Sequence, residues 1–161
     1  SNIKAQFDYL TNLLGKEVRV SNIFKPGMFI DVSAITKGKG FEGPVTRWGV
    51  KRKQHKSRKS VRALGTLGAW NPRSVMYTVP RAGQMGFHQR IEYNKRILSI
   101  SNPQENNITP SGGFMHYGVL RSDYIIVKGS IPGTIKRLVK MRYAIRSHEK
   151  VIAPNIIEVV V

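Results

Sequence analysis

Met28-Phe29-Ile30-Asp31-Val32-Ser33-Ala34-Ile35 runs without a break into Thr36-Lys37-Gly38-Lys39-Gly40-Phe41-Glu42-Gly43. The first half is rich in Phe, Ile and Val and follows the turn Lys25-Pro26-Gly27, so it reads as a β-strand. The second half cannot prolong that strand, because glycine has no side chain to pack and alternating lysines have no apolar face to bury. The junction therefore separates two textures, and both extend outward from it.

Upstream, Ile3, Phe7, Leu10 and Leu14 recur at helical spacing and Gly15 supplies a stop, which predicts a short helix over 3–14. Val18-Arg19-Val20 reads as a further short strand. Strand character returns after residue 96: Ile97–Ile100, Gly118–Val127, Leu138–Ile145 and Ile156–Val161 are rich in Val, Ile, Leu and Tyr. Pro110-Ser111-Gly112-Gly113 and Ile131-Pro132-Gly133 mark turns between them. Short strands at this spacing predict a mainly β fold, a small barrel or sandwich.

Residues 37–96 differ. Glycines at 38, 40, 43, 49, 65, 68, 83 and 86 and prolines at 44, 72 and 80 break every period, and the apolar residues are scattered. An irregular stretch of this length is unusual in a compact domain and is normally functional. It reads as a long extension that folds against a partner rather than against itself. The expected organisation is thus a helix and first strands over 1–36, a basic extension over 37–96, and the remaining strands over 97–161.

Charge follows the same division. The 161 residues carry 27 Lys and Arg against 9 Asp and Glu, a formal charge of +18. Fifteen of those cations lie between 37 and 96, opposed only by Glu42 and Glu92, so this stretch holds +13. The densest run, Lys51 to Arg62, has seven cations in twelve positions and no acid. A solvated helix face normally alternates sign, and this run does not. Such a charge calls for a polyanionic partner, nucleic acid before an anionic membrane surface. The sequence has no apolar run long enough to span a membrane as a helix. Cysteine is absent, which excludes disulfides and thiolate metal sites.

Gly38-Lys39-Gly40-Phe41-Glu42-Gly43 matches G-x-G-x-x-G after a strand. The dinucleotide reading requires a helix opening at the third glycine and an acidic residue about 20 positions on. Residues 57–64 supply no acid, and the sequence after Pro44 has no apolar stripe. Glycines among lysines instead offer backbone amides and ammonium groups to phosphates at close approach. The histidines (His55, His88, His116, His148) form no metal-ligand pair, and no acidic cluster joins them. His55, inside the cationic run, is placed to stack on RNA or hydrogen-bond to it. Trp48, at the entry to that run, reads either as a core residue or as a stacking platform. Trp70, between glycines and an Asn-Pro turn, reads as a ring for an unpaired base.

These residues carry a family resemblance. Ile30-Asp31-Val32-Ser33-Ala34-Ile35-Thr36-Lys37-Gly38-Lys39-Gly40-Phe41-Glu42-Gly43 followed by Arg47-Trp48 resembles the signature of the large-subunit ribosomal protein L-three family. Ala82-Gly83-Gln84-Met85-Gly86 resembles its second hallmark, and Val127-Lys128-Gly129-Ser130-Ile131-Pro132-Gly133 its third. Gly68-Ala69-Trp70 is similar to the archaeal and eukaryotic branch. The resemblance implies a β-barrel of the translation-protein type on the subunit exterior. It also implies an extension reaching through large-subunit, 23S-type rRNA toward the peptidyl transferase centre, with Trp70 near its tip. Members of that branch are considerably longer, and this chain begins without methionine and ends on Val159-Val160-Val161. The expectation is a partial chain whose missing N-terminal strands would complete the barrel.

The expected function is a cytoplasmic, ribosomal, rRNA-binding structural protein without catalysis, partnered by rRNA and neighbouring large-subunit proteins. No membrane or small-molecule substrate is expected, and no resident cofactor, any Mg ions being those that accompany rRNA. The candidate RNA-binding residues are Lys37, Gly38, Lys39, Gly40, Arg47, Trp48, Lys51, Arg52, Lys53, His55, Lys56, Arg58, Lys59, Arg62, Trp70, Arg73, Arg81, Gln84 and Arg90. The alternative readings are a basic RNA-processing or RNA-modifying enzyme working through His55 or His88, and a DNA-architectural protein.

Overall fold

The computed structural model describes residues 2–147 and 151–159. Its elements in chain order are helix α1 (Ile3–Leu13), strands β1 (Phe29–Ile35) and β2 (Gly40–Glu42), helix α2 (Pro44–Trp48), and strands β3 (Gly83–Met85), β4 (Gln89–Ser101), β5 (Tyr124–Val127) and β6 (Lys140–Tyr143). Two 3-10 turns, Val20–Asn22 and His55–Ser60, complete the regular structure.

The strand at the junction is the centre of the fold. β1 alternates Ile30, Val32 and Ala34 toward the core, all buried, as the period of two dictates. It lies between β4 and β6 in a four-stranded sheet of order β5-β4-β1-β6. β6 pairs with β1 antiparallel, Ile30 opposite Tyr143 and Ser33 opposite Lys140. β5 pairs with β4 antiparallel, with an irregularity between Ile97 and Ser99 that shifts the register. Ile97 is locked to the start of β1: its amide donates to the Met28 carbonyl, and its own carbonyl accepts from the Gly27 amide.

The core is small. Phe24, Ile30, Val32 and Ile97 form it, with Val20, Ile100, Ile125, Val127, Val139 and Met141 packed against them. The ring of Phe24 meets Tyr143 edge to face at 5.4 Å. Beside this core lies Asp31, the one buried charged residue among the described residues, only 1% exposed. Its Oδ1 accepts from the Asn94 amide, and its Oδ2 accepts from Arg142 Nε and the Ile145 amide. A buried carboxylate is tolerated only when its lone pairs are satisfied in this way.

Several expectations are corrected. Among the described residues the sheet is open, since β5 and β6 each have a single neighbour, so no closed barrel is present. Val18–Val20 forms no strand; Val20 begins a 3-10 turn instead. The strand expected over 118–127 is confined to Tyr124–Val127 and that over 138–145 to Lys140–Tyr143, whereas the one at 97–100 lengthens to Gln89–Ser101. Residues 156–159 carry no strand, and residues 160–161 of that expectation lie outside the described residues.

The described chain divides into two compact units. One comprises Ser1–Ser33, Ile91–Ile131 and Ile135–Val161, and the other Ala34–Arg90 with Pro132–Thr134. The second unit contains regular structure where none is expected from sequence. β2 and β3 form a two-stranded antiparallel ladder, pairing Gly40 with Met85, Phe41 with Gln84 and Glu42 with Gly83.

Candidate nucleic-acid interface

The second unit is built on the β2–β3 ladder. Residues 40–42 meet 83–85 across about 40 intervening positions, which form one long excursion from the ladder. Thr36 closes its foot, donating its amide to the His88 carbonyl and exchanging side-chain bonds with the same residue. The Lys39 amide donates to the Met85 carbonyl. Gly86 has φ +71, and a Cβ there would drive into the Lys37 carbonyl oxygen. Gly40 also has positive φ, at +72, but faces open space. The two glycines thus separate a close backbone approach from a purely conformational need. Gly86→Ala is expected to destabilise the ladder by about 2–4 kcal/mol, the left-handed penalty plus overpacking. Gly40→Ala should cost only the former, about 1–2 kcal/mol. Hydrogen exchange at the Lys39 amide reads both variants, and equal effects would contradict the assignment.

Past the ladder, Gly43 and Pro44 open α2, and Gly49, with φ +69, ends it after one turn and a half. A helix thus opens at Pro44 although the sequence after it has no apolar stripe. The helix is five residues long and is a clamp rather than a phosphate cradle. From it, Arg47 donates Nε to the Gln84 carbonyl at 3.2 Å and Nη1 to the Arg81 carbonyl at 3.0 Å. Trp48 donates its indole N–H to the same Arg81 carbonyl at 3.0 Å, and the Arg47 guanidinium lies 5.1 Å from the centre of its ring. Trp48 is 57% exposed, so it belongs to no core; it pins the segment leading into β3 to α2.

The densest charge sits beyond the clamp. The Lys53 amide donates to the Val61 carbonyl, closing a loop that holds the turn His55–Ser60. Arg58 at its centre has φ 51. Lys51, Arg52, His55, Lys56, Arg58 and Lys59 are exposed, and Lys53 is half-buried. Arg62 donates to the Thr46 hydroxyl, tying the run back to α2. Farther out, residues 65–78 are exposed throughout, including Arg73. Trp70 is 85% exposed and Tyr77 is 96% exposed.

Back at the ladder, Lys37, Gly38, Lys39 and Gly40 are exposed, as are Arg81, Gln84 and Arg90. Gln84 turns its amide onto the Met85 and Gly86 carbonyls, and Arg90 donates to the Gln89 carbonyl. The candidate residues therefore fall into two sets. Arg47, Trp48, Arg62, Gln84 and Arg90 are engaged with the protein's own backbone or hydroxyls. The remaining cations among them form no ion pair among the described residues.

This second unit carries 13 Lys and Arg against Glu42 alone. Unpaired cations at that density repel one another and attract any polyanion. Exposed rings stand among them: Trp70 and Tyr77 on the excursion, Phe41 and Phe87 at the ladder. Sequence reading missed Tyr77, Phe41 and Phe87. The available signal was an aromatic within an acid-poor stretch flanked by arginine or lysine. Among the described residues no three His, Asp or Glu side chains come together as a metal site. No helix among them is long and apolar enough to cross a membrane.

A family sequence model described as "Ribosomal protein L3" matches residues 1–160. Among curated relatives, "Large ribosomal subunit protein uL3" of Archaeoglobus fulgidus is 56% identical over 147 residues, covering 90% of this chain and 44% of the relative. The protein of the same name from Methanothermobacter thermautotrophicus is 51% identical over 148 residues, 90% of this chain and 44% of the relative. That from Methanoregula boonei is 50% identical over 163 residues, 99% of this chain and 48% of the relative. The chain thus spans a little under half the length of these relatives. A match running from the first helix past the last strand, with all three motifs inside it, means that this chain belongs to the ribosomal protein L3 family.

Proposed function

We propose that the chain is a structural part of the large ribosomal subunit that binds large-subunit rRNA and has no catalytic activity of its own. The observation that carries this reading is the second unit: thirteen cations, one acid and exposed aromatic rings, on a ladder held by its own backbone bonds. Residues 37–96 act as the rRNA-penetrating extension, directed toward the peptidyl transferase centre. The flanking segments, 1–36 and 97–161, belong to a barrel of the translation-protein type. The free edges of β5 and β6 are where strands from the longer protein would complete that barrel. The partners are rRNA and neighbouring large-subunit proteins, and the setting is the cytoplasmic ribosome, where the extension supports assembly and translation.

The mechanism is phosphate neutralisation by Lys51 to Arg62, with local stacking by exposed rings. Trp70 separates this from a packing role. Its ring is 85% exposed, so Trp70→Ala should leave folding and subunit assembly intact. Loss of one stacked base, about 1–3 kcal/mol, should instead appear as altered tRNA or factor handling by the assembled subunits. A Trp70→Ala protein that fails to fold would contradict the stacking role.

A further inference from the structure

Two motifs that lie apart in the sequence interlock within the second unit. Thr46-Arg47-Trp48-Gly49 ends α2, and Ala82-Gly83-Gln84-Met85-Gly86 carries β3. The Arg47 guanidinium bridges the second motif: Nη1 donates to the Arg81 carbonyl just before it, and Nε to the Gln84 carbonyl within it. Gly83 lies between those two carbonyls. A Cβ there would stand 3.0 Å from Arg47 Cζ and 3.0 Å from Nη1, inside ordinary van der Waals contact. Gly83 is not among the glycines with positive φ, so the guanidinium, not the backbone conformation, calls for glycine. The Arg81 carbonyl also accepts from the Trp48 indole N–H. Arg47 itself is half-buried and pairs with no carboxylate among the described residues. Residues 49–80, which include the run Lys51 to Arg62 and the exposed stretch 65–78, depart after Trp48 and return at Arg81. The interlock therefore ties the two ends of the excursion together.

We infer that Arg47 is a positioning residue for RNA binding, acting through the backbone of 81–84 rather than through its charge. It fixes where both ends of the excursion leave the ladder. The inference rests on the proposed rRNA binding and deepens it. A segment that orders only on binding loses part of its interaction energy to that ordering, and an interlock already closed in the free chain reduces the loss. The planar guanidinium fork spans two carbonyls at once, whereas a lysine ammonium has the same charge and no fork. Shape and charge at this position can thus be separated by experiment.

The test uses the full chain and purified large-subunit rRNA, with Arg47→Lys, Gly83→Ala and the two combined. Arg47→Lys keeps the charge, so the log–log salt slope should match that of the unmodified chain while binding weakens about tenfold at each salt concentration. Gly83→Ala displaces the guanidinium and should weaken binding in the same sense. The double variant should bind no more weakly than Arg47→Lys alone, since the alanine then has no interlock left to open. In the RNA-free chain the indole N–H resonance of Trp48 should shift in each variant, while that of Trp70, 85% exposed, stays in place as an internal control. Slow exchange of the Ile97 amide, bonded to the Met28 carbonyl in the other unit, shows that the variants fold. Arg47→Lys binding as tightly as the unmodified chain would overturn the positioning role and leave the proposed function standing. Additive losses in the double variant would do the same. An unmodified chain that does not bind rRNA would overturn the proposed function, and the positioning role with it.

Discussion

Binding of the chain to large-subunit rRNA is expected to weaken about 10³–10⁴-fold as monovalent salt rises from about 50 to about 200 mM. The estimate comes from the seven cations of Lys51 to Arg62. Each phosphate they neutralise releases about 0.7 counterion from single-stranded and about 0.9 from duplex nucleic acid, a log–log slope of about −5 to −6. The structure supports full use of this run. Lys51, Arg52, Lys56, Arg58 and Lys59 are exposed, and no carboxylate among the described residues pairs with any of the seven. Arg62 spends one nitrogen on the Thr46 hydroxyl but keeps its charge. A slope near one or two, read from filter binding across that salt range, would mean the run does not lie along the phosphates.

The second large effect concerns stability. Asp31→Ala is expected to cost about 3 kcal/mol, seen as a lower urea midpoint. Asp31 is 1% exposed and accepts three hydrogen bonds, two of them on Oδ2. Hydrogen bonds to a charged group contribute about 1.5–3 kcal/mol each. The total is discounted because Arg142 is half-exposed and water can replace its partner. Asp31→Asn sharpens the test. With donors facing both oxygens, an amide must point its NH2 at a donor whichever way it is placed, so Asn should rescue little. A loss under about 0.5 kcal/mol for either variant would show that the carboxylate does not hold β1 to β4 and to the segment after β6.

What the sequence discloses follows from the range of the interactions. α1 and β1 are legible because their periods are local: Ile3, Phe7 and Leu10 for the helix, Ile30, Val32 and Ala34 for the strand. Val18–Val20 reads as a strand by composition, yet strand formation needs a partner, and Arg19 instead reaches Glu17 and Asp123. The strand expected from Gly118 begins only at Tyr124, after Asp123 has been taken up by Arg19 and the Asn102 amide. β2 and β3 are invisible to propensity because they are glycine-rich and pair across about 40 residues. Asp31 looks like an interruption of an apolar run; its partner Arg142 lies 111 positions away.

For the candidate interface, the charge of residues 37–96 is plain in the sequence, because like charges at high density leave a compositional mark. The division of labour within it is not. Arg47 reads as one more cation, but two of its donors close the clamp on β3 and on Arg81 just before it. Nor does the sequence alone reveal that Gly83, in a different motif, is where a Cβ would meet the Arg47 guanidinium. Exposure of Trp70, Tyr77 and many aliphatic side chains of both units has one physical reading in common. Among the described residues the buried apolar set is only Phe24, Ile30, Val32, Ala34 and Ile97, so most of their apolar surface faces outward.

Co-sedimentation with large ribosomal subunits tests the central claim most directly. The chain is expected to travel with the large subunit through a density gradient at low salt. Replacing the seven cations of Lys51 to Arg62 by Gln should leave the chain folded but at the top of the gradient. Unmodified chain remaining at the top, or the seven-fold variant sedimenting as the unmodified chain does, would contradict it.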